Sequence, residues 1–498
     1  MIRLLTIFLF LPLFSFSQTW QWTKKGDTFS QNSEGSRHSI CTDGMGNCYA
    51  VVDSMRHAKI LKYNSFGNLI WKVSLWDGLA SAIVSDNSGH LYVAGGSLAG
   101  GILAKYDTSG ALIWKVNGGS DNCNGISLDN NLGFIYLTGS TTFLEKFNTS
   151  GNQIWSRNSN MYVTGNSVCT DNLGYCYITG QFFDTAFFGT NLLTSSGAGD
   201  IFITKYDASG NCLWAKRAGG KADNGATITQ GDRGYAITTD NIGNIYFTGT
   251  IMDTANFDSF TLITKTDYAN DCFLAKYDTN GNVLWVKQAE NDSDHEGRCI
   301  AIDNQNNILI GGSFVPTTKF DGVPLGGWGN YDAFVAKYDN NGNFINALSA
   351  GGSFWNDYVF GICSDNLGNT FVTGSFNSYN TNTYFGSDIL IGTGGHYAFV
   401  SKIDLTTGIE EIKNNSFNVK IYPNPVTDQV NIQLDDIRHE TLLIEIKNVL
   451  GQIVKNVANN ETPEKQTIEI DVKDLPNGIY FLTLESVQQR AFAKFIKN

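Results

Sequence analysis

The sequence predicts an all-β protein in which a seven-bladed β-propeller is followed by a small C-terminal β-sandwich. Three observations lead to this fold. A turn-rich unit recurs seven times between residues 19 and 408, and the composition changes near Ile409 to a region with more charged residues. The composition is rich in glycine (53 residues) and aromatic residues (13%) but poor in charged residues (16%). Short strands of β-branched and aromatic residues joined by tight turns are typical of such folds.

Each repeated unit contains two sequence signatures. The first has the form D-x-x-G-N-x-Y-x-T-G, and its leading residues are Asp43, Asp86, Asp129, Asp171, Asp240, Asp303 and Asp365. The second has the form K-Y-D-x-x-G-x-x-x-W, and it begins at Lys62, Lys105, Lys146, Lys205, Lys276, Lys337 and Lys402. Asp, Asn and Gly suit the tight turns of hairpins. Each unit is therefore predicted to form four antiparallel strands, which is the pattern of one propeller blade.

The fifth unit and the two ends of the repeat array make this prediction specific. The four strands of the fifth unit are predicted at GYAITT (234–239), IYFTGT (245–250), CFLAKYD (272–278) and VLWVKQ (283–288). The seventh unit ends at FVSKIDLTTG (399–408) without the Trp of a fourth strand, and TWQWTKK (19–25) supplies one. We therefore expect the N-terminal strand to complete the last blade, which removes an open sheet edge.

Six of the ten tryptophans occupy one position of the repeat. They are Trp22, Trp71, Trp114, Trp155, Trp214 and Trp285. A ring of carbohydrate-stacking tryptophans is one interpretation, and packing between blades is the other. A large aromatic residue that recurs at an internal strand position usually belongs to the core, so packing is the preferred interpretation.

The N-terminus has the features of a secretory signal peptide, predicted over residues 1–17. Arg3 precedes an apolar stretch at 4–14, and Ser15 and Ser17 suit the small-residue positions of a cleavage site. The apolar stretch is shorter than the about 20 residues that span a bilayer, so we expect no membrane span. A net charge of −13 argues against a nucleic-acid partner. We expect a secreted or cell-surface monomer.

The nine cysteines would enter a compartment that permits disulfides. Cys41 and Cys48 flank one predicted hairpin turn, and Cys169 and Cys176 flank another. The pairs Cys41–Cys48 and Cys169–Cys176 are possible disulfides, and buried thiols are the alternative. An odd total leaves at least one cysteine without an intramolecular partner, and the spacings do not match a zinc site.

The repeated units resemble the SBBP-type β-propeller repeat of bacterial secreted proteins. The resemblance is clearest in QFFDTAFFGTNLLTSSGAGDIFITKYDASGNCLWAKRAGG (181–220), whereas the first three units are shorter and look more like NHL-type blades. The resemblance to these repeats covers about residues 19–408, and the predicted propeller domain is 18–408. Such repeats imply a fold and no fixed activity.

The C-terminal region is predicted to be a small sandwich after a linker at 409–420. Its strands are expected at 430–435, 441–449, 452–457, 466–472, 478–486 and 490–497. Residues 421–498 are similar to the type A C-terminal sorting domain of the type IX (Por) secretion system of Bacteroidota. The residues that carry this resemblance are Tyr422, Pro423, Asn424, Pro425, Gly451, Gly478, Tyr480 and Lys494. Membership of that family implies recognition by the type IX machinery, translocation, removal of the domain, and then surface attachment or release.

No sequence motif for catalysis was found, since HExxH, G-x-S-x-G and Walker patterns are absent from the chain. A site could still assemble from the connections on one propeller face, which long insertions enlarge in units four to seven. Candidate binding residues in these connections are Asp223, Asp294, His295, Glu296, Arg298, Trp328, Trp355, Asp357 and His396. The alternative for each is a solvated loop residue. No cofactor is predicted; oxygen ligands at blade junctions leave Ca²⁺ possible without a supporting motif.

Three functions are compatible with these patterns. The preferred one is a non-catalytic binding or scaffold module for an extracellular protein or glycan. The second is a secreted hydrolase, which requires paired carboxylates or an Arg cluster on the enlarged face. The third is a quinoprotein-like dehydrogenase, because D-x-x-G-x-x-x-W loosely resembles the Trp-docking repeat of that family. Its glycine spacing is one residue short, and no adjacent Cys-Cys pair is present.

Overall fold

The computed structural model describes most of the chain. The described residues are 19–28, 38–52, 57–97, 100–118, 122–140, 142–159, 162–221, 231–265, 269–290, 294–353, 355–405, 419–434, 442–448, 453–459, 467–485 and 490–498. The predicted signal peptide and the candidate residues Asp223 and Gly451 lie outside them, as does all but the end of the predicted linker. Thr19–Leu405 forms one compact unit, and the C-terminal residues belong to a second.

The first unit consists of seven blades, each with four antiparallel strands. Strand β1 (Thr19–Thr28) precedes them. Blade 1 contains β2 (Ser39–Thr42), β3 (Cys48–Val52), β4 (His57–Tyr63) and β5 (Leu69–Asp77). Blade 2 contains β6 (Leu79–Ser85), β7 (Leu91–Ser97), β8 (Gly100–Tyr106) and β9 (Leu112–Asn117). Blade 3 contains β10 (Cys123–Asp129), β11 (Phe134–Gly139), β12 (Thr142–Asn148) and β13 (Gln153–Asn158).

Blades 4 to 7 carry additions between their second and third strands. Blade 4 contains β14 (Val163–Thr170), β15 (Cys176–Phe182), the hairpin β16 (Thr185–Phe188) and β17 (Asn191–Thr194), then β18 (Asp200–Tyr206) and β19 (Cys212–Ala218). Blade 5 contains β20 (Arg233–Thr239), β21 (Ile245–Met252), the hairpin β22 (Thr254–Phe257) and β23 (Phe260–Ile263), then β24 (Asn270–Tyr277) and β25 (Val283–Glu290). Blade 6 contains β26 (Glu296–Ile302), β27 (Ile308–Phe314), the hairpin β28 (Lys319–Phe320) and β29 (Val323–Pro324), then β30 (Asp332–Tyr338) and β31 (Phe344–Gly352). Blade 7 contains β32 (Tyr358–Ser364), β33 (Thr370–Phe385) and β34 (Asp388–Asp404).

The N-terminal strand β1 supplies the fourth strand of blade 7. It pairs antiparallel with β34, and Trp22 lies opposite Lys402. The first strands of successive blades lie side by side in the order β2, β6, β10, β14, β20, β26 and β32, and β32 contacts β2 again. The ring is therefore closed, and the predicted fold class is confirmed.

The first repeat signature forms the turn between the first two strands of each blade. In blade 5, Asp240 Oδ1 accepts a hydrogen bond from the main-chain N–H of Asn244 at 2.8 Å, and Oδ2 accepts one from the Tyr246 hydroxyl at 3.1 Å. The Thr248 hydroxyl donates to a carbonyl of β24. A Cβ on Gly249 would lie 1.8 Å from a carbonyl oxygen beside the bulge of β20. Each residue type of the signature thus has a defined steric or hydrogen-bonding role.

The second signature joins each blade to the next one. In blade 5, Tyr246, Lys276 and Trp285 lie opposite one another on three strands, and Lys276 Nζ is 5.0 Å from the Tyr246 ring centroid. Lys276 Nζ and Trp285 Nε1 both donate to the carbonyl of Asn340, in a turn of blade 6, at 2.8 and 3.3 Å. A Cβ on Gly342 of that turn would touch the Trp285 ring at 3.0 Å.

The other repeat tryptophans make the same kind of contact. Indole N–H groups donate to a main-chain carbonyl of the next blade from Trp22, Trp71, Trp155 and Trp214. The ring of Trp114 lies against Gly151 of the next blade. The preferred interpretation of these tryptophans as packing residues is confirmed.

The two possible disulfides are not formed, and all nine cysteines are free thiols. Cys48 lies opposite Thr42, whereas Cys41 lies opposite Tyr49. Because side chains of adjacent register positions point to opposite faces of a sheet, Cys41 and Cys48 belong to different hydrophobic clusters.

Cys169 and Cys176 repeat this arrangement, since Cys169 lies opposite Tyr177 and Cys176 opposite Thr170. The expectation that each pair faces across its hairpin was wrong because it placed the two thiols on the same face.

The C-terminal unit is a sandwich of two antiparallel sheets. Its strands are β35 (Val419–Tyr422), β36 (Gln429–Leu434), β37 (Leu442–Lys447), β38 (Ile453–Asn459), β39 (Thr467–Asp471), β40 (Gly478–Glu485) and β41 (Arg490–Lys497). One sheet has the order β35-β36-β39, and the other β38-β37-β40-β41. The core between them includes Val430, Ile444, Ile470 and Leu482. Strand β35 was not predicted, and its first two residues occupy the end of the predicted linker.

Candidate functional site

The additions to blades 4 to 7 enlarge one face of the propeller, which we call the insertion face. Each addition buries a phenylalanine at its turn, and these residues are Phe188, Phe257, Phe320 and Phe385. The residue after each one has a positive φ, and these are Gly189, Asp258, Asp321 and Gly386. Three additions also pair with the preceding blade, through Gly219–Asn256, Ala289–Phe320 and Gly351–Tyr384. The insertion face is therefore built on ordered hairpins.

A group of polar and aromatic side chains lies where the first strands meet. We call it the axial cluster, and it consists of His38, Tyr235, Glu296, Arg298, Tyr358 and Phe360. The residues Tyr235, Arg298 and Phe360 each occupy a β-bulge in the first strand of their blade. A bulge re-aims the extra side chain and leaves it outside the ladder. The same bulge recurs in the first strands of blades 2 to 7, so it places one such side chain in each of these blades.

Contacts within the axial cluster neutralise its charges. The Arg298 guanidinium lies 4.5 Å from the Tyr235 ring centroid and forms an ion pair with Glu296. The His38 and Phe360 rings stack with centroids 5.5 Å apart. Burial lowers the pKa of His38 to about 3, so its imidazole is neutral at physiological pH.

The predicted residues Asp294 and His295 support the main chain beside this cluster. Asp294 Oδ1 accepts the N–H of Asn270 at 2.7 Å, and Oδ2 accepts the Tyr331 hydroxyl at 3.1 Å. His295 is fully buried, and its Nε2 lies 2.7 Å from the carbonyl oxygen of Ala289. These contacts assign His295 a role in holding the junction between blades 5 and 6.

Asp357, another predicted site residue, is buried beside Asp332. Its two oxygens accept the N–H groups of Asn377 at 3.0 Å and Gly352 at 3.1 Å. Burial raises the pKa of Asp357 well above its usual value, and the nearby charge of Asp332 raises it further. Both carboxyl groups are completely inaccessible to solvent. This pair fixes the loops between blades 6 and 7 and offers no open catalytic position.

Equivalent pairs occur at the two preceding blade junctions. Asp232 lies beside Asp200, and its oxygens accept main-chain N–H groups at 2.7 and 2.9 Å. At the next junction Asp271 Oδ1 lies 3.7 Å from Nε2 of the imidazole of His295. Burial raises the pKa of Asp271 to about 6, and the imidazole opposes that shift. The pairs repeat with the blades, which indicates a structural role.

An exposed row of aromatic side chains crosses the insertion face of blades 6 and 7. We call it the aromatic strip, and it consists of Trp328, Trp355, Tyr379, Asn382 and Tyr384. Trp328 lies against Tyr384 with ring centroids 5.9 Å apart, and Trp355 lies against Tyr379 at 5.1 Å. The exposed fractions of Trp328, Trp355 and Tyr379 are 53%, 44% and 40%. Large exposed apolar groups that lie together mark interaction sites.

His396 lies on β34 next to this strip but is half-buried. It faces Asn377 across the strand pair, with Nδ2 of the amide 3.2 Å from Nε2 of the imidazole. Burial lowers the pKa of His396, so the neutral imidazole is favoured. It supports the hairpin that carries Tyr379.

The structure thus divides the predicted site residues into three groups. Glu296 and Arg298 enter the axial cluster, and Trp328 and Trp355 enter the aromatic strip. The others either support the main chain or, for Asp223, lie outside the described residues. Sequence reasoning missed seven members, which are His38, Tyr235, Tyr358, Phe360, Tyr379, Asn382 and Tyr384. A usable signal existed for four axial residues, because each of them precedes the signature aspartate of its unit by five positions; they are His38, Tyr235, Arg298 and Phe360.

Metal ligands do not converge in the part of the chain that the structure describes, where no group of three or more His, Cys, Asp or Glu side chains could hold an ion. Among the same residues, no helix is long and apolar enough to cross a membrane.

The sequence motifs of the C-terminal sandwich join its two ends. Asn424 Nδ2 donates to the carbonyl of Lys494 at 3.1 Å, and Asn424 Oδ1 accepts the N–H of Ile496 at 2.9 Å. The Tyr480 hydroxyl donates to the carbonyl of Pro476 at 2.7 Å. The residues quoted from the sequence therefore bring the segment after β35 onto the last strand, β41.

Comparison with protein families gives the C-terminal unit its role. Residues 420–498 match the family model described as a secretion system C-terminal sorting domain. The protein is exported by type IX secretion. This tail directs it to the cell surface or the extracellular space, and the secretion machinery is its partner in that step.

Two curated proteins are similar to part of the chain, and one of them is described as a repeat protein. An uncharacterized WD repeat-containing protein of Acanthamoeba polyphaga mimivirus is 29% identical over an alignment of 168 residues, and the match covers 31% of this chain and 11% of that protein. Regulatory protein FlaEY of Caulobacter vibrioides is 24% identical over 152 residues, which are 30% of this chain and 15% of that protein. The matched segments thus span less than a sixth of either relative.

A solved structure also aligns with the chain. One chain of the crystal structure of a mitotic checkpoint complex has a TM-score of 0.47 and 9% identity, and the alignment covers 72% of this chain and 89% of that one.

Proposed function

We propose that the propeller is a non-catalytic binding or scaffold module that engages an extracellular protein or glycan through its insertion face. The observation that supports this most strongly is the aromatic strip, in which two half-exposed tryptophans lie outside the repeat that builds the core. Tryptophan and tyrosine dominate binding energy at recognition sites because they offer a large apolar area with a polar tip. We further infer that the blades are of the SBBP type, on the resemblance of residues 181–220.

The carboxyl groups of the insertion face support binding over hydrolysis. Glycoside hydrolysis needs two accessible carboxyl groups about 5–10 Å apart around the substrate. The Asp332–Asp357 and Asp200–Asp232 pairs are fully or almost fully buried, and each accepts main-chain N–H groups. The Arg298 guanidinium is already paired with Glu296. A secreted hydrolase is therefore the weaker alternative.

The proposal is tested with the full-length secreted chain on an array that carries both glycans and extracellular proteins. The double variant Trp328→Ala/Trp355→Ala is compared with the wild type and with Leu173→Ala. Leu173 is 78% exposed in the turn between β14 and β15, at the opposite end of the blade from the insertions. Leu173→Ala therefore removes an exposed apolar side chain at a site remote from the aromatic strip.

We expect at least one ligand that the wild type and Leu173→Ala retain equally and the double variant loses. The ligand should also be recovered unchanged after prolonged incubation with the wild type. The proposal is wrong if every ligand binds the double variant as well as the wild type, or if a bound ligand is cleaved.

A further inference from the structure

We infer that the aromatic strip binds a neutral, linear glycan, an inference that rests on the proposed binding function. The strip owes its form to one bulge in β33. On β34 the partners of Tyr379, Asn382 and Tyr384 are Thr393, Ile391 and Ile389, in that order. From Tyr379 to Asn382 the chain advances three residues on β33 but only two on β34, so β33 contains one extra residue there. Because side chains alternate along a strand, this extra residue brings all three side chains to the same side of the hairpin.

The rings of the strip stand at its two ends, with an amide between them. Trp328 meets Tyr384 at one end with an interplanar angle of 39°, and Trp355 meets Tyr379 at the other with an angle of 42°. Asn382 Nδ2 lies 3.3 Å from the Tyr384 hydroxyl and remains exposed. The alternation of ring, amide and ring suits a ligand whose own chemistry repeats along its length.

Trp328 and Trp355 differ from the repeat tryptophans in the hydrogen bonding of the indole N–H group. Repeat residues such as Trp285 donate their indole N–H to a carbonyl of the next blade. Within the described residues, the indole N–H groups of Trp328 and Trp355 make no hydrogen bond. Each ring can therefore offer an apolar face and a donor to the same ligand. A sugar unit has the complementary surface, because its C–H groups form one face and its hydroxyls form the rim.

The charge and size of the strip favour a neutral chain over a protein partner. None of its five side chains is charged, and the nearby carboxyl groups of Asp332 and Asp357 are buried. A stable protein interface uses about 20–30 residues on each side, which is several times the size of the strip. The distance along β33 from Tyr379 to Tyr384 is about 15 Å at ordinary strand rise. That length exceeds a single sugar unit and suits an oligosaccharide.

The inference is tested by calorimetric titration of the full-length chain with cellohexaose, maltohexaose, xylohexaose and mannohexaose. Hexagalacturonic acid serves as the charged counterpart. We expect at least one neutral hexasaccharide to bind, and its affinity to be unchanged between about 0.05 M and about 0.5 M NaCl, because screening affects only charged ligands.

Variants of the strip locate the binding site. Trp328→Ala and Trp355→Ala should each weaken binding by at least about tenfold, as expected for the loss of an aromatic anchor. Trp355→Phe should recover part of that loss, and Leu173→Ala should bind as the wild type does. Thermal unfolding of each variant at the wild-type temperature shows that the fold is kept.

The outcomes separate this inference from the proposed function. The glycan inference fails if no neutral hexasaccharide binds, if only the charged one binds, or if both tryptophan variants bind normally. If an extracellular protein on the array then depends on Trp328 and Trp355, the binding function stands and the ligand class is protein. If neither class of ligand depends on the strip, both proposals are wrong.

Discussion

The tyrosine of the first repeat signature allows a test with a control built into the chain. In blade 4 the hydroxyl of the fully buried Tyr177 donates to Asp171 Oδ2 at 2.9 Å. In blade 3 the equivalent hydroxyl of Tyr136 and the Oδ2 atom of Asp129 are both buried, and neither has a hydrogen-bond partner among the described residues. The two tyrosines are equally inaccessible, so they differ mainly in this one hydrogen bond.

The difference arises from the length of the turn. Asp171 Oδ1 accepts the N–H groups of the residues two and four positions later, whereas Asp129 Oδ1 accepts those two and three positions later. The carboxyl group in blade 3 is therefore held in another orientation. A hydrogen bond to a charged acceptor contributes about 1.5–3 kcal/mol. Tyr177→Phe should lower the free energy of unfolding by that amount, and Tyr136→Phe should leave it unchanged or raise it slightly.

The measurement is guanidinium-induced and thermal unfolding of the full-length chain, followed by tryptophan fluorescence. Tyr177→Phe should lower the midpoint temperature by about 2–4 °C at the entropy change of a domain this size. The packing of the ring on Trp214, with centroids 6.3 Å apart, is kept by phenylalanine. Equal losses in the two variants would refute the reasoning, because the hydroxyl-to-carboxylate bond would then not be the source of the effect.

Three further predictions concern packing, charge and thiols. Gly249→Ala should destabilise the propeller by about 1–3 kcal/mol or more, because the added Cβ would lie 1.8 Å from a carbonyl oxygen. In the same denaturation assay Gly326→Ala should be nearly neutral, because a Cβ there would have no atom within 4 Å. Asp332→Asn should stabilise the propeller at pH 7. Burial and the charge of Asp332 raise the folded-state pKa of Asp357. The stabilisation of the folded state by the Asp357 carboxyl group is therefore complete below its unfolded-state pKa of about 4, and it is lost as the pH rises through the folded-state pKa. The gain from Asp332→Asn should therefore vanish near pH 4 in a series of melts, and a gain that is independent of pH would contradict this. Burial raises the pKa of Cys41 to about 12, and seven of the nine cysteines are buried, so a thiol reagent should react slowly with most thiols of the native chain. After denaturation it should react with nine groups, and fewer than nine would indicate a disulfide.

The sequence was sufficient for the blades because each signature residue has one local role. The turn residues, the Tyr–Lys–Trp row and the glycine next to the bulge act within one blade or between neighbours, and the four predicted strands of the fifth unit agree with β20, β21, β24 and β25 within two residues. Register is harder to predict. The possible bridge between Cys41 and Cys48 was wrong because one residue of register decides which face a side chain occupies.

The candidate site could be predicted only in part for the same reason. Trp328 and Trp355 were predicted as candidate binding residues in the long connections, and both lie in the aromatic strip. Their partners Tyr379 and Tyr384 are five positions apart, a spacing that places side chains on opposite faces of a regular strand. Only the bulge beside Asn382 brings these two side chains to one face, and no residue type in that stretch indicates a bulge.

The position of the strip follows from the way the additions are attached. The additions of blades 6 and 7 extend the outer strand of the blade before them, through Ala289–Phe320 and Gly351–Tyr384, so the sheets become continuous across blade junctions. The hairpin of blade 7 is anchored beneath by Phe385, which packs on Phe399 with ring centroids 4.7 Å apart. Its opposite side therefore carries exposed rings on a backbone that is already ordered. Because Tyr379 and Tyr384 stand on paired strands, binding to these two rings would require little further ordering of the protein, and most of their contact energy would appear as affinity. A loop of the same composition would lose part of that energy to conformational entropy, which gives a physical reason for building this part of the face from a hairpin.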